Sequence, residues 1–307
     1  MDFECPGLQA LIGRRVLPFI RAIACAAIAC CADSALASGK DLRIAGLHVV
    51  VWAPVGSEAG LKPLVLFSHG YGGCAVQSKF LMEAFAADGF WVFAPDHRDA
   101  RCSRSGTVRE PFSMKEFGTP EAWDERSHAD RRDDMKVLVA ALRADPRYRD
   151  HIDFAHIGLV GHSLGGYTVL GLAGAWPGWR MPGVSAVLAL SPYSQPFNVK
   201  QTIGLIAIPV MFQGGTRDFG TTPAVSKQAG SYDEAHAPKY YVEFDGAGHF
   251  VWTDLNARYA KSICAYSLAF FEHYVRGDPP DPQIILLRDD VSMLRFDSEL
   301  GSGDLKR

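Results

Sequence analysis

The sequence predicts an α/β protein built on a doubly wound, mostly parallel sheet with helices on both faces and no large cap domain. Short apolar runs that end in glycines or polar residues recur along the chain, as in strands buried on both sides. They alternate with segments whose apolar residues return at helical spacing. No Pro/Gly/Ser-rich linker and no fixed-period repeat interrupts the alternation, so one domain is expected over residues 38–307, behind a leader at 1–37. With 48% hydrophobic and 11% aromatic residues among 307, the chain can bury a sizeable core and is not disordered. Its 31 basic and 34 acidic side chains leave a net charge of −3, which gives no footprint for nucleic acid or an anionic membrane.

The leader comes first. Arg14 and Arg15 precede an apolar stretch that resumes after Arg21 as Ala22 to Ala32, and Ala35-Leu36-Ala37 supplies the small residues a signal peptidase reads. This is a secretory pattern with cleavage after Ala37, implying export to the periplasm or the medium. The uncharged run is too short for a membrane span. A twin-arginine signal at Arg14-Arg15 and a lipid anchor at Cys30 or Cys31 are variants that lack most of their motifs. Cys5, Cys25, Cys30 and Cys31 leave with the leader, so the mature chain keeps Cys74, Cys102 and Cys264. In an oxidising compartment two of these can pair, and their spacing excludes a zinc framework.

Leu42 to Trp52 reads as one or two strands and Pro63 to Phe67 as a buried parallel strand. Gln77 to Asp88 reads as a helix stopped by Gly89, and Phe90 to Ala94 as the strand closing a βαβ unit. A long polar connection, Asp96 to Ser127, precedes a helix carrying Met135, Leu138, Val139 and Leu142 on one face; a connection of that length is suited to walling a cleft. Strands follow at Ile157–Val160, Val184–Leu190, Ile206–Phe212 and Tyr240–Phe244, with helices from Leu164, over Thr222–Ala235 and over Leu255–Val275. After Gly277 the pattern weakens; Ile284–Leu287 reads as an edge strand and the last ten residues as disordered.

The chemistry concentrates where strands end. Gly161-His162-Ser163-Leu164-Gly165-Gly166 joins a strand to a helix, the context of a nucleophile elbow. A serine hydroxyl needs a base, and the base needs an acid to fix its tautomer. Asp218 follows the strand ending near Phe212, and His249 follows the strand ending at Phe244, so serine, acid and histidine are expected on one sheet edge, with Asp245 and Asp254 as competing acids. The N–H of Leu164 and that of Tyr71, in the turn His69-Gly70-Tyr71-Gly72-Gly73, are the expected oxyanion donors, and the Tyr71 ring is placed to pack over substrate. His69 and His162 are expected to hydrogen-bond beneath these loops. His97 and the remaining histidines are expected on solvated stretches, where Asp96, His97 and Asp99 form at most a weak metal-like cluster. The chemistry calls for no cofactor and no metal. Arg98, Arg101, Arg104 and Arg109 are interspersed with acids and read as a solvated loop rather than an anion site.

With these motifs in hand, the chain resembles the α/β-hydrolase superfamily over nearly all of its mature length. Phe67-Ser68-His69-Gly70-Tyr71-Gly72-Gly73, the elbow, and Gly246-Ala247-Gly248-His249-Phe250 are similar to the bacterial dienelactone-hydrolase-like serine esterases, a group related to platelet-activating-factor acetylhydrolases and cutinase-type polyester hydrolases. The resemblance implies carboxylic-ester hydrolysis of a small-molecule or polymeric ester. The chain departs from true dienelactone hydrolases, whose nucleophile is cysteine where Ser163 stands here. The resemblance also implies that Tyr193, at the matching place of a substrate-contacting aromatic, binds substrate, and that Cys74 pairs with Cys102. The short Ser191–Leu205 segment leaves no room for a cap. Hydrolysis of a thioester, lactone or peptide, and a non-catalytic binding role for the same fold, are the alternatives. Oligomeric state is not legible.

Overall fold

The structure is a computed structural model that describes residues 38–56, 60–101 and 113–307. The leader, Cys102, Arg104 and Arg109 lie outside the described residues.

Ten strands form one sheet. β1 (Lys40–Ile44) and β2 (Leu47–Trp52) make a hairpin across Ala45-Gly46, both at positive φ. β3 (Lys62–Ser68), β4 (Trp91–Pro95), β5 (Ile152–His162), β6 (Val184–Leu190), β7 (Val210–Gly215) and β8 (Lys239–Phe244) follow, then β9 (Val291–Ser298) and β10 (Gly301–Lys306). The spatial order is β1-β2-β4-β3-β5-β6-β7-β8-β9-β10. The run from β4 to β8 is parallel, and the two strands at either end are antiparallel. The helices are α1 (Lys79–Ala87), α2 (Ala129–Ala144), α3 (Pro146–Arg149), α4 (Leu164–Leu170), α5 (Gln195–Lys200), α6 (Thr222–Ser226), α7 (Ser231–Glu234) and α8 (Ala260–Phe271).

The strand sequences dictate the layers. In β3, Leu64 and Leu66 enter the core shared with α2 and α4, while Val65 and Phe67 enter the core shared with α1 and α8. Both faces are covered, so the run reads as continuously apolar instead of alternating. Each of these side chains contributes about 2 kcal/mol by leaving water. α1 buries Leu81, Met82 and Phe85, and α8 buries Ile263, Tyr266, Phe270 and Phe271 on the same face of the sheet.

Several boundaries differ from expectation. The strand expected from Ile206 starts at Val210, after Pro209, which has no N–H to donate to a ladder. The helix expected over Thr222–Ala235 is two short helices, α6 and α7. The helix expected from Leu255 begins at Ala260. The tail departs most: Pro282–Ile285 is a 3-10 turn, not an edge strand, and the final residues form β10 rather than disordered chain. β9 buries Leu294 and Phe296, and Gly303 of β10 admits the Phe296 ring where a Cβ would collide with it.

The segment between β6 and β7 holds only α5 and the 3-10 turn Ile203–Leu205, so no cap stands there. No helix among the described residues is long and apolar enough to cross a membrane. Because β3 to β8 run parallel, the loops after β3, β5, β7 and β8 emerge along one edge, where open α/β sheets gather their sites.

Candidate active site

Ser163 sits between β5 and α4 with φ 55° and ψ −117°, a conformation that costs a residue with a Cβ of order 1–3 kcal/mol and persists only when its surroundings impose it. Its N–H donates to the Leu190 carbonyl at 3.0 Å and its carbonyl accepts from Tyr167 and Tyr193. The flanking glycines are steric necessities. A Cβ at Gly161 would overlap the Gly165 backbone, and one at Gly165 would overlap the Ser68 carbonyl oxygen. The turn therefore stays sharp and holds the Ser163 hydroxyl at the cleft.

His249 follows β8 and Asp218 follows β7, neighbouring strands in the sheet. His249 Nε2 lies 2.9 Å from Ser163 Oγ, and His249 Nδ1 lies 3.2 Å and 3.3 Å from the two Asp218 carboxylate oxygens. Burial alone would push the Asp218 carboxyl up. Hydrogen bonds and charge from His249, with the hydroxyls of Ser191 and Thr221, outweigh it and hold Asp218 at about 2. The competing acids lie elsewhere: Asp245 is exposed, and Asp254 accepts from the Phe80 N–H at the start of α1.

Ahead of Ser163, the turn His69–Gly73 is held from below. Arg131 of α2, fully buried, donates to the His69 carbonyl at 2.7 Å and the Gly70 carbonyl at 3.3 Å, and pairs with both oxygens of Asp99 at 2.8 and 2.7 Å. Asp99 in turn accepts from the Gly72 N–H at 2.9 Å. Burial would raise the Asp99 carboxyl, but Arg131 holds it well below the usual carboxylate range. Gln77 bridges turn and elbow: its Oε1 accepts from the Gly70 N–H at 3.0 Å and its Nε2 donates to His162 Nδ1 at 2.7 Å. His162 Nε2 then donates to the His249 carbonyl at 2.8 Å. Burial, reinforced by His249, pushes the His162 imidazole down to about 3, so it is neutral with this tautomer. The Leu164 N–H lies in the first turn of α4, where N–H groups have no intrahelical partner and the helix dipole is positive, and Tyr71 lines the same cleft as Ser163.

His97 departs from expectation. It is not solvated but 1% exposed, with Nε2 2.9 Å from Ser68 Oγ and Nδ1 2.9 Å from Asp134. This is a second serine–histidine–aspartate chain, sealed under the His69–Gly73 turn: Ser68 is fully buried, so no substrate reaches its hydroxyl. Asp96 accepts from the Ala75 N–H and from His48, and among the described residues no cluster suits a metal.

A cleft of about 480 Å³ opens over Ser163 and His249, walled by the 70–74 turn, Val76, Met114, Phe250, Thr253 and Leu255. Its rim is apolar and solvent-facing, with Phe250 61% and Leu255 83% exposed. Tyr71 lines it, with its ring beside Phe117 at 5.4 Å. Tyr193 does not line it: the ring is 4% exposed against Phe117 and Trp123, and the hydroxyl donates to the Phe117 carbonyl at 2.9 Å. The 113–123 segment folds over the end of β6 and covers it. Cys74 on the cleft wall is disulfide-bonded and Cys264 is a free thiol.

Arg131, Gln77 and Ser191 escaped sequence reading. Arg131 and Gln77 carry no local motif. Ser191 had a signal, since it directly follows the strand beside the elbow.

A family model described as alpha/beta hydrolase fold matches residues 63–178, which carry the His69–Gly73 turn and the strand-to-helix turn at Ser163. The cutinase est2 of Thermobifida alba is 26% identical over 240 residues, covering 73% of this chain and 66% of the relative. Cutinase 1 of Thermobifida cellulosilytica is 27% identical over 222 residues, covering 70% of this chain and 69% of the relative. A cutinase of Thermobifida fusca (strain YX) is also 27% identical over 222 residues, with 70% of this chain and 60% of the relative covered. About a third or more of each relative thus lies outside the match. By its sheet order, its strained serine between strand and helix, and these matches, the chain has the α/β-hydrolase fold and is similar to the cutinases.

Proposed function

We propose that the chain is an exported serine esterase in which Ser163 attacks an ester carbonyl, His249 moves the proton and Asp218 orients the imidazole. One observation carries this reading: a strained serine at the cleft floor with its hydroxyl 2.9 Å from an imidazole nitrogen whose other nitrogen faces a buried carboxylate. Ser163 gives its proton to His249 Nε2 as the tetrahedral intermediate forms, and the Leu164 and Tyr71 N–H groups receive the oxyanion. His249 then returns the proton to the leaving alcohol, and water hydrolyses the acyl-enzyme by the same steps. The apolar cleft favours an uncharged acyl chain, and the exposed rim of Phe250, Leu255 and Met114 suits an ester presented on a larger apolar body, including a polymer. Export rests on the pattern over residues 14–37, and the similarity to cutinases supports the ester as substrate.

Ser163→Ala is expected to abolish hydrolysis of a short-chain nitrophenyl ester and covalent labelling by a fluorophosphonate. Retained turnover would overturn the reading. An acyl-chain series with a solid polyester film as its last member measures how far the rim extends the site.

A further inference from the structure

The closest contact of His249 Nδ1 is not the acid. It lies 2.8 Å from Ser191 Oγ, against 3.2 and 3.3 Å to the Asp218 oxygens. Ser191 Oγ also makes a short hydrogen bond to Asp218 Oδ2. We infer that Ser191 is a positioning residue of the triad, its hydroxyl accepting from His249 Nδ1–H while donating its own proton to Asp218. This rests on the assignment of Ser163, His249 and Asp218 made above.

The hydroxyl has one proton, and the surroundings fix where it points. A serine beside an imidazole is ambivalent: by donating to Nδ1 it would stabilise the tautomer with its proton on Nε2, which cannot accept from Ser163. Asp218 accepts only, and so takes the Ser191 proton and leaves the Ser191 lone pair to Nδ1–H. Thr221 reinforces the arrangement, its hydroxyl donating to Asp218 Oδ2 at 2.7 Å and standing 3.5 Å from Nδ1. Thr222 Oγ1 sits 3.2 Å from the same oxygen and also accepts from the Gly215 N–H. The titratable groups facing His249 are Asp218 and the neutral His162, so the relay contains one carboxylate and no competing base.

The backbone holds Ser191 in place for this. It is fully buried, its φ is 43°, and its N–H donates to the Gln213 carbonyl at 2.7 Å, tying the end of β6 to β7 one residue beyond the strand. A non-glycine residue at positive φ is uncommon, and here the strained position carries the hydroxyl that the imidazole meets first. Through the reaction the Ser191 and Nδ1 protons stay where they are; only the Ser163 proton travels, to Nε2 and on to the leaving alcohol.

The test compares Ser191→Ala and Ser191→Gly with the native enzyme. Glycine tolerates the φ of this site, so Ser191→Gly removes the hydroxyl while relieving the backbone. Both variants are expected to lose about tenfold or more in kcat, with KM little changed, as for a lost hydrogen bond to a group that becomes charged. The strongly deshielded Nδ1 proton of His249 is expected to shift in the proton NMR spectrum of both, and Ser191→Thr, which returns a hydroxyl, is expected to recover the native signal. Native kcat in both Ala and Gly variants, or lost kcat with an unmoved Nδ1 signal, would overturn the inference. Ser163→Ala run alongside separates the two levels: if it alone is inactive, the triad stands and the relay fails.

Discussion

Asp218 and Asp245 both follow strands that end beside the cleft, and burial separates them. Asp218 is 4% exposed and touches the imidazole, whereas Asp245 faces solvent and is anchored by its backbone. Asp218→Asn is therefore expected to lower kcat by roughly 10⁴, since the amide favours the wrong histidine tautomer, while Asp245→Asn leaves the rate within about twofold. Steady-state kinetics on one model ester decide it; the reverse order would move the acid to Asp245. The glycines of the elbow belong to this scale too, because at Gly161 and Gly165 the collision is with backbone, which no rotamer change relieves.

At the scale of elements, α2 is what holds the His69–Gly73 turn. Its Arg131 reaches under the sheet edge to two turn carbonyls, and its Asp134 closes the buried chain through His97 to Ser68. A guanidinium holds two nitrogens in one rigid plane, here Nη1 on the His69 carbonyl and Nη2 on Asp99 and the Gly70 carbonyl, a spread that the single nitrogen of an ammonium does not reproduce. Arg131→Lys is expected to lower kcat about tenfold with KM nearly unchanged, since donors that serve the transition state lose their register while the cleft wall remains. A fall in thermal stability of a few degrees is expected alongside it. Native kcat in a folded Arg131→Lys protein would show that the turn holds its shape without the guanidinium.

For the whole molecule, the buried histidines set the response to acid. Burial, with help from Arg131, lowers His69 to about 3 and His97 well below its ordinary value, and burial lowers His162 to about 3. A histidine whose folded value is depressed adds full stability above the unfolded value near 6.5; below it the unfolded chain takes up the proton and the folded chain does not. Asp134, raised by burial to about 6, runs the other way between about 6 and 4, and burial also raises Asp88, Glu234, Asp254 and Glu272, while His128, lowered by burial, joins the three histidines. Stability is thus expected to fall from about pH 6.5 downward, by on the order of 1.4 kcal/mol per pH unit for each unopposed histidine. Urea midpoints measured at pH 7.5, 6 and 5 check this, and a flat series would mean that these imidazoles are charged or exposed in the folded state.

The sequence alone determined the parallel sheet, the elbow and the chain order of Ser163, Asp218 and His249, because each is written locally: an apolar run on a strand, glycines at fixed offsets, a turn after a strand. Tertiary structure decided the rest. The pairing of β9 with β8 depends on residues some fifty positions apart, and its short mixed run carries no signal until that partner supplies the buried face. Tyr193 lost its place on the cleft because the 113–123 segment folds over it, and no periodicity in Asp96–Ser127 foretells that. Arg131 and His97 read as polar residues on polar stretches; only the fold brings carbonyls and carboxylates around them, and a buried polar group is tolerated once its partners are there.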